Sequence, residues 1–273
     1  MRLSLAAVLL FACTVNPAFL VAQQSGRAVT PPSAPVRDAQ AVSILTQAIG
    51  AMGGAAPSDS VATGTVTIVA GSTNDDGTIR ILTRGADQSA EHINLRSEAS
   101  SVIYSRGQAN EVLHGATKVS FMELAMSSQS PDFPLPLLAP ALNDADVSIQ
   151  YVGQETLEDP TTQHIRLWNT YASKPGMNVL SEFTTKDLWV DATTGLPRKL
   201  AYERREGRGA VPHIRIEVSY SNWQATSGFL YPHQIEKSWN GTPWATITIQ
   251  SVTFQNGLGE GDFPIEASQG VQR

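Results

Sequence analysis

Five histidines, His92, His114, His164, His213 and His233, are the first residues to question for chemistry, and they are scattered without an H-x-H or H-x-x-x-H pair. A metal needs several donors converging on one point, which sequences usually write as short fixed spacings. These histidines therefore read as separate surface or hydrogen-bonded side chains. Nucleophile chemistry is equally unsupported: there is no G-x-S-x-G elbow, no S-x-x-K and no glycine-rich phosphate loop. Carboxylates cluster at Asp75 with Asp76 and at Glu155 with Glu158 and Asp159, in stretches that read as solvated turns. The run Glu203-Arg204-Arg205-Glu206-Gly207-Arg208 reads as a charged hairpin tip. Asn240-Gly241-Thr242 matches a glycosylation sequon, but Asn-Gly is also the preferred two-residue hairpin turn, and the turn reading is favoured. No catalytic residue, metal site or cofactor is implied.

The chain carries a formal charge of -6. Such a balance argues against nucleic acid as a partner, because phosphate binding needs a basic face. Met1 to Ala22 has one early charge, Arg2, an apolar run from Leu3 to Cys13, a second from Pro17 to Val21, and the small Ala22 before Gln23-Gln24. That pattern predicts a secretory signal peptide over 1–22 and a periplasmic or otherwise exported protein. Thr14, Asn16 and Pro17 argue against a spanning helix there. Cys13 is the sole cysteine. Cleavage near Ala22 would leave no thiol, and hence no disulfide or thiolate site. Alternatively, Leu10-Phe11-Ala12-Cys13 resembles a lipobox, which would make Cys13 a lipidated anchor.

Those absences move attention to the elements. Residues 23–37, with Pro31, Pro32 and Pro35, read as a disordered linker, and 267–273 as a disordered tail. Between them, 38–266 reads as one domain. Asp38 is a helix cap; Val42, Leu45, Ile49 and Met52 recur at helical spacing until Gly53-Gly54. Strand patterns follow over Ala62 to Ala70, Thr78 to Thr83, Gln88 to Arg96, Ala99 to Tyr104 and Gln108 to Leu113, with Asn74-Asp75-Asp76-Gly77 as a hairpin turn. From Val119 through Phe121, Met122, Leu124 and Ala125 to Met126 a short, nearly all-apolar helix is expected. Pro131 to Leu142 then forms a proline-rich apolar stretch that cannot be a central strand. Val147 to Gln154, Gln163 to Tyr171 and a closing meander from Asp187 to Phe263 complete the sheet.

Alternation within these strands puts Val66, Ile68, Ile79, Ile81, Ile214, Ile216, Val218, Tyr220, Ile235, Trp239, Ile247 and Ile249 on one face, with mostly polar neighbours on the other. About ten strands would span about 45 Å at the usual spacing. One short helix cannot cover that face. Either the sheet curls on itself, or the apolar 116–144 segment covers the rest.

A resemblance enters here, carried by order and spacing. The helix ending in Gly-Gly, the meander, the apolar proline-rich insertion, Leu188-Trp189-Val190-Asp191 with Gly195-Leu196-Pro197, Tyr220 with Gly228-Phe229-Leu230-Tyr231-Pro232, and Val252 with Asn256 and Phe263 together resemble the LolA/LolB-like lipoprotein-sorting carriers. The resemblance implies an α+β half-open barrel, a strongly curved antiparallel sheet whose concave face is closed by helices. It also implies a non-enzymatic carrier of lipid or lipoprotein acyl chains in outer-membrane lipoprotein sorting. An envelope membrane protein that loads or unloads it is the further partner such a role implies. On that reading the cavity wall is Val66, Ile68, Ile79, Ile81, Ile216, Val218, Tyr220, Ile235, Trp239, Ile247 and Ile249. The lid is Phe121, Met122, Met126, Leu135, Leu137 and Leu138. The competing expectations are a cell-envelope structural or protein-interaction module with a solid core, and a hydrolase with an unrecognised site.

Overall fold

Helix α1 (Ala39–Met52) begins where Asp38 accepts hydrogen bonds from the backbone N–H groups of Gln40 (2.8 Å) and Ala41 (3.2 Å). These satisfy donors that have no intrahelical partner. It ends at Gly53, whose φ of 127° suits glycine, and a Cβ there would fall 2.9 Å from the Gly228 carbonyl oxygen. Its buried face is Ala41, Ile44, Leu45, Ala48, Ile49 and Met52. The computed structural model describes residues 34–70, 73–113, 116–120, 131–156, 161–204 and 213–265. The signal-peptide expectation and the lipobox alternative at Cys13 lie outside them.

Among the described residues thirteen antiparallel strands follow, more than the roughly ten the sequence patterns suggest. The first six are β1 (Asp59–Ala70), β2 (Thr73–Arg84), β3 (Gln88–Leu95), β4 (Ala99–Ser105), β5 (Gln108–Leu113) and β6 (Ala116–Ser120). Helix α2 (Leu135–Asn143) intervenes before β7 (Val147–Thr156) and β8 (Thr161–Asn169). A 3-10 segment (Pro175–Thr184) leads to β9 (Lys186–Asp191), β10 (Pro197–Arg204), β11 (Ile214–Thr226), β12 (Phe229–Trp239) and β13 (Thr242–Phe254). They form one sheet in the order β6-β5-β4-β3-β2-β1-β13-β12-β11-β10-β9-β8-β7, so the chain's halves meet at the β1–β13 pairing. Tight reversals carry left-handed pairs where hairpin twist demands them: Arg106-Gly107, Ser227-Gly228 and Asn240-Gly241.

Three local expectations are corrected. Asn74 to Gly77 is not a turn: these residues are paired within β2, and the chain reverses between Ala70 and Thr73. The carboxylates find partners in that register, Asp75 accepting from Ser97 and from the Arg96 backbone, Asp76 from Thr67 Oγ1 at 2.8 Å. Val119 does not start a helix, because Ala116–Ser120 pairs with β5 as an edge strand; residues 121–130 lie outside the described residues. Finally, the expected linker is ordered at its end. The Val36 carbonyl accepts from the Ile149 N–H at 2.7 Å, and Arg37 bridges in parallel to Ile149 on the β7 edge. That contact partly covers an otherwise open sheet edge.

The curl of the sheet follows from two contacts. Lys237 on β12 reaches Glu91 on β3 at 2.5 Å, although four strand spacings, about 19 Å in a flat sheet, separate them. Arg204 on β10 reaches Glu111 on β5 at 2.5 Å across eight spacings, about 38 Å if flat. The strands therefore wrap round an interior, while β6 and β7 stay unpaired with each other. The structure is an unclosed, curved α+β half-barrel. Its main core lies on the concave face, where the register Tyr220–Ile235–Ile247–Val66 carries apolar side chains across four strands. A smaller convex cluster, Leu82, Ala90 and Ile103, is covered by Phe263. The Asp59 carboxylate holds that closing segment by accepting from the backbones of Asn256 (2.6 Å), Gly257 (2.9 Å) and Leu258 (3.3 Å).

Candidate functional site

Among the described residues two pieces cover the concave face. Helix α1 packs on α2, β7, β8 and β12. The other is the segment from Pro131 through α2, which runs into the concavity. Phe133 is fully buried, its ring 4.6 Å from Tyr231 and 6.1 Å from Phe254, and Leu135 and Leu138 are buried beside it. The Tyr220 hydroxyl donates to the Pro131 carbonyl. Helix α2 is intrinsically weak: no side chain caps its start, and Pro140 inside it lacks the N–H that would bond the preceding turn. It is held by what it packs against.

Ahead of α2 lies an ionic anchor. Asp132 Oδ1 is 2.7 Å from the Lys237 ammonium, which also meets Glu91 at 2.5 Å, and all three side chains are buried or nearly so. Burial pushes the Asp132 carboxyl up to about 7; Lys237 opposes that shift and Glu91 adds to it. Burial is the largest influence on Glu91 and raises it, but the Lys237 charge together with the hydrogen bonds from Asp132 and Lys237 holds the group below its ordinary value. Lys237 loses by burial and gains more from the two carboxylates, so its ammonium is strongly favoured. Breaking such a set by removing one member leaves a buried charge uncompensated. Around it, a cavity of about 100 Å³ is bordered by Tyr104, Tyr202, Arg204 and the Trp239–Trp244 pair, whose ring centroids are 4.8 Å apart.

A larger cleft of about 500 Å³ opens between α2 and the starts of β7 and β9. Leu137, Leu138, Ala141, Val147 and Leu167 give it an apolar wall, and Lys186 borders it. Lys186 is 7% exposed, and burial lowers its ammonium to about 8. Its register partners Leu167 and Tyr202 place it on the concave side of β9.

The expected wall residues are brought together. Val66, Ile79, Ile81, Ile216, Val218, Tyr220, Ile235, Ile247 and Ile249 belong to one buried cluster, with Ile68 and Leu137 packed partly buried against it and Leu135 and Leu138 inside it. Trp239 shares their face through its pairing with Ile216 but is 43% exposed, at the rim. Phe121, Met122 and Met126 lie outside the described residues. What residue-type reading missed is the polar part of the same wall. Lys237 sits between Ile235 and Trp239, and Lys186 two residues before Leu188, so strand alternation alone would have pointed both inward.

A second cluster was also missed. Glu155 is not in a turn but at the end of β7, where its carboxylate accepts from Trp189 Nε1 at 2.8 Å and meets His164 Nδ1 at 2.7 Å. The other ring nitrogen of His164 meets Asp187 at 2.9 Å, and Arg166 donates to the same carboxylate at 2.8 Å. Burial raises Asp187, but the hydrogen bonds from Arg166 and His164 bring it below its usual range; in Glu155 the Trp189 hydrogen bond is the largest influence and lowers it. His164 stacks on Trp189 at 4.2 Å, and Lys199 lies over the same indole at 4.1 Å. This assembly ties β7 to β8 and β9. Among the described residues no group of three or more His, Cys, Asp or Glu side chains is arranged to hold a metal, and no helix is long and apolar enough to cross a membrane.

No family model matches the chain, and no curated protein matches it. Solved structures do. A putative outer membrane lipoprotein-sorting protein domain from Vibrio parahaemolyticus aligns over 82% of this chain and 96% of its own, at 13% identity and a TM-score of 0.54. A LolA superfamily protein from Nitrosomonas europaea aligns over 82% and 97%, at 17% identity and a TM-score of 0.52. A DUF1329 family protein from Desulfovibrio piger aligns over 85% and 98%, at 11% identity and a TM-score of 0.51. The fold is LolA-like.

Proposed function

We propose that this protein is an exported, non-enzymatic carrier or binder of lipid acyl chains, which it holds between the concave sheet face and the Pro131–Asn143 segment while crossing the periplasm. The observation that carries the reading is the pairing of a continuous apolar concave wall with a cover made of a short, proline-interrupted helix. Each methylene taken from water contributes about 0.8 kcal/mol, so a long chain gains on the order of 10 kcal/mol before the costs of displacing the cover. A carrier needs no reactive group. The LolA-like fold, shared with a lipoprotein-sorting domain, supports the same reading by analogy of architecture. A loading or unloading membrane protein belongs to it as a further partner.

The described interior is filled: Phe133, Tyr231, Leu135 and Leu138 occupy the space a chain would take. In the carrier reading this is the empty, closed form, with protein side chains standing in for acyl groups. The same packing favours a second reading, an envelope interaction module with a solid core. Native mass spectrometry of the protein purified from its own envelope separates them. An extra mass that falls to the bare chain on organic extraction is expected for the carrier, and a bare-chain mass throughout supports the module.

A further inference from the structure

The concave wall carries buried hydrogen-bond donors among its apolar side chains, the hydroxyls of Tyr220 and Tyr231 and the ammonium of Lys237. All of them meet the start of the cover. Tyr220 donates to the Pro131 carbonyl, and Lys237 meets the Asp132 carboxyl at 2.7 Å. The Tyr231 ring lies 4.6 Å from Phe133, the next residue, yet among the described residues nothing accepts from its enclosed hydroxyl. Burial raises both phenols and the Asp132 charge adds to each, so the two hydroxyls share the neighbourhood of that carboxyl. A buried donor without an acceptor destabilises a fold, and native structures keep few of them. Pro131 and Asp132 also border the cavity of about 100 Å³ that Lys237 and Tyr202 line, so there is space beside the donors. The charges decide which acceptor fits. Lys237 is paired with Glu91 at 2.5 Å, and those two charges cancel. A further anion in the same enclosed place would be uncompensated, which is costly away from water. Asp132 meets that condition by holding a proton, its carboxyl pushed up to about 7, chiefly by burial. A neutral oxygen acceptor carries no such penalty, and Tyr220 already donates to one, the Pro131 carbonyl.

We propose that, once the Pro131–Asn143 segment is displaced, Tyr220, Tyr231 and Lys237 donate to the carbonyl oxygens of an acyl ester, so that the ligand is an ester-linked lipid rather than a free fatty carboxylate. The assignment rests on the acyl-chain reading above. In the closed form the Pro131 carbonyl and the Asp132 carboxyl stand where those oxygens bind, and Tyr231 is the donor kept for the ligand alone.

The test uses the full folded protein, stripped of lipid, and probes of one chain length: dodecanoyl glycerol, dodecyl glyceryl ether, which lacks only the carbonyl, and dodecanoate. Their binding is followed by calorimetry at pH 8. The ester is expected to bind about tenfold more tightly than either the ether or dodecanoate. Tyr231→Phe is expected to cut the ester's advantage over the ether about fivefold while ether binding stays within about twofold. The same variant is expected to keep or raise the urea midpoint, because the hydroxyl it removes has no acceptor in the closed form. A merely structural role would not give that split. Circular dichroism checks each fold, and Tyr220→Phe, expected to cut the advantage likewise, decides the matter if Tyr231→Phe does not fold. If ester and ether bind alike to the wild type, or if a folded Tyr231→Phe keeps the full advantage, the ester assignment is overturned although the acyl-chain reading survives. Dodecanoate binding more tightly than the ester would show that the site takes an anion, which overturns the assignment equally. If no probe binds, both fall.

Discussion

Lys237, Glu91 and Asp132 set the most unusual condition at the residue scale, because three charges share a site with almost no water. One proton relieves it. The Asp132 carboxyl, ordinarily near 3.8, is pushed up to about 7, chiefly by burial. The folded protein thus holds that proton more tightly than the unfolded chain. The resulting stabilisation is complete below the unfolded value and is lost as pH rises through about 7. Glu91 and Asp187 shift the other way, so their contribution is present above their unfolded values and is lost as pH falls. Asp132→Asn, a neutral mimic of the protonated acid, is expected to remove the decline between pH 5 and 8 while leaving the acid limb unchanged. Urea midpoints measured across that range decide it: a variant that declines in parallel with the wild type would show that Asp132 does not hold the proton. Part of this site was legible in the sequence. The inward position of Lys237 follows from Ile235 and Trp239 on either side. Its partners come from β3 and from the segment before α2, and no local pattern records which distant strands a curled sheet will bring together.

Elements were more readable than contacts, because capping and alternation are local. Asp38, Met52 and Gly53 mark α1, and the closing meander from β9 to β13 follows its turns, including Asn240-Gly241. Misreadings fell where local signals compete. Asp75-Asp76-Gly77 has turn composition, yet the long pairing of β1 with β2 overrides it. Glycine is needed in these long strands for a reason sequence alone does not show. Gly64 lies at the register shift between β1 and β13, and a Cβ there would stand 2.1 Å from the Thr248 carbonyl oxygen, which is backbone and cannot step aside. Gly64→Ala is expected to cost about 1–3 kcal/mol or to part the two halves of the sheet locally. Chemical unfolding together with amide exchange at Thr248 to Val252 measures it, and a change below about 0.5 kcal/mol, the usual surface-substitution range, would contradict the close approach. Helix α2 makes the opposite case. Pro140 is exposed and costs its helix a hydrogen bond, so Pro140→Ala is expected to stiffen the cover and add about 1 kcal/mol to the closed form. Amide protection across Leu137–Asn143 is expected to rise, and the rate of acyl-chain uptake to fall about fivefold. Faster uptake would show that α2 is not what opens.

At the scale of the whole molecule, the sheet's curl creates the interior and the inserted segment fills it. Among the described residues, thirteen strands joined mainly by hairpins give a wall that does not close on itself, with β6 at one end of the order and β7, bridged by Arg37, at the other. The cover is attached differently, through a weak helix, one buried ion-pair set and apolar packing, and such regions are drawn from the low-stability end of a structure. The division between wall and inserted cover was visible in the sequence as a contrast between alternating strands and a proline-rich apolar insertion. The filling of the wall by Phe133 and Leu138 was not visible, because packing depends on how far the sheet closes. In the proposed carrier an acyl chain replaces this filling. Titrating the delipidated protein with a fluorescent fatty acid tests it most directly. Saturable binding of one chain per protein, with emission shifted to the blue and lost when Leu138 is replaced by Glu in a variant that still folds, is the expected result. A folded wild-type protein that shows no saturable binding would contradict the claim and leave the half-barrel a solid module.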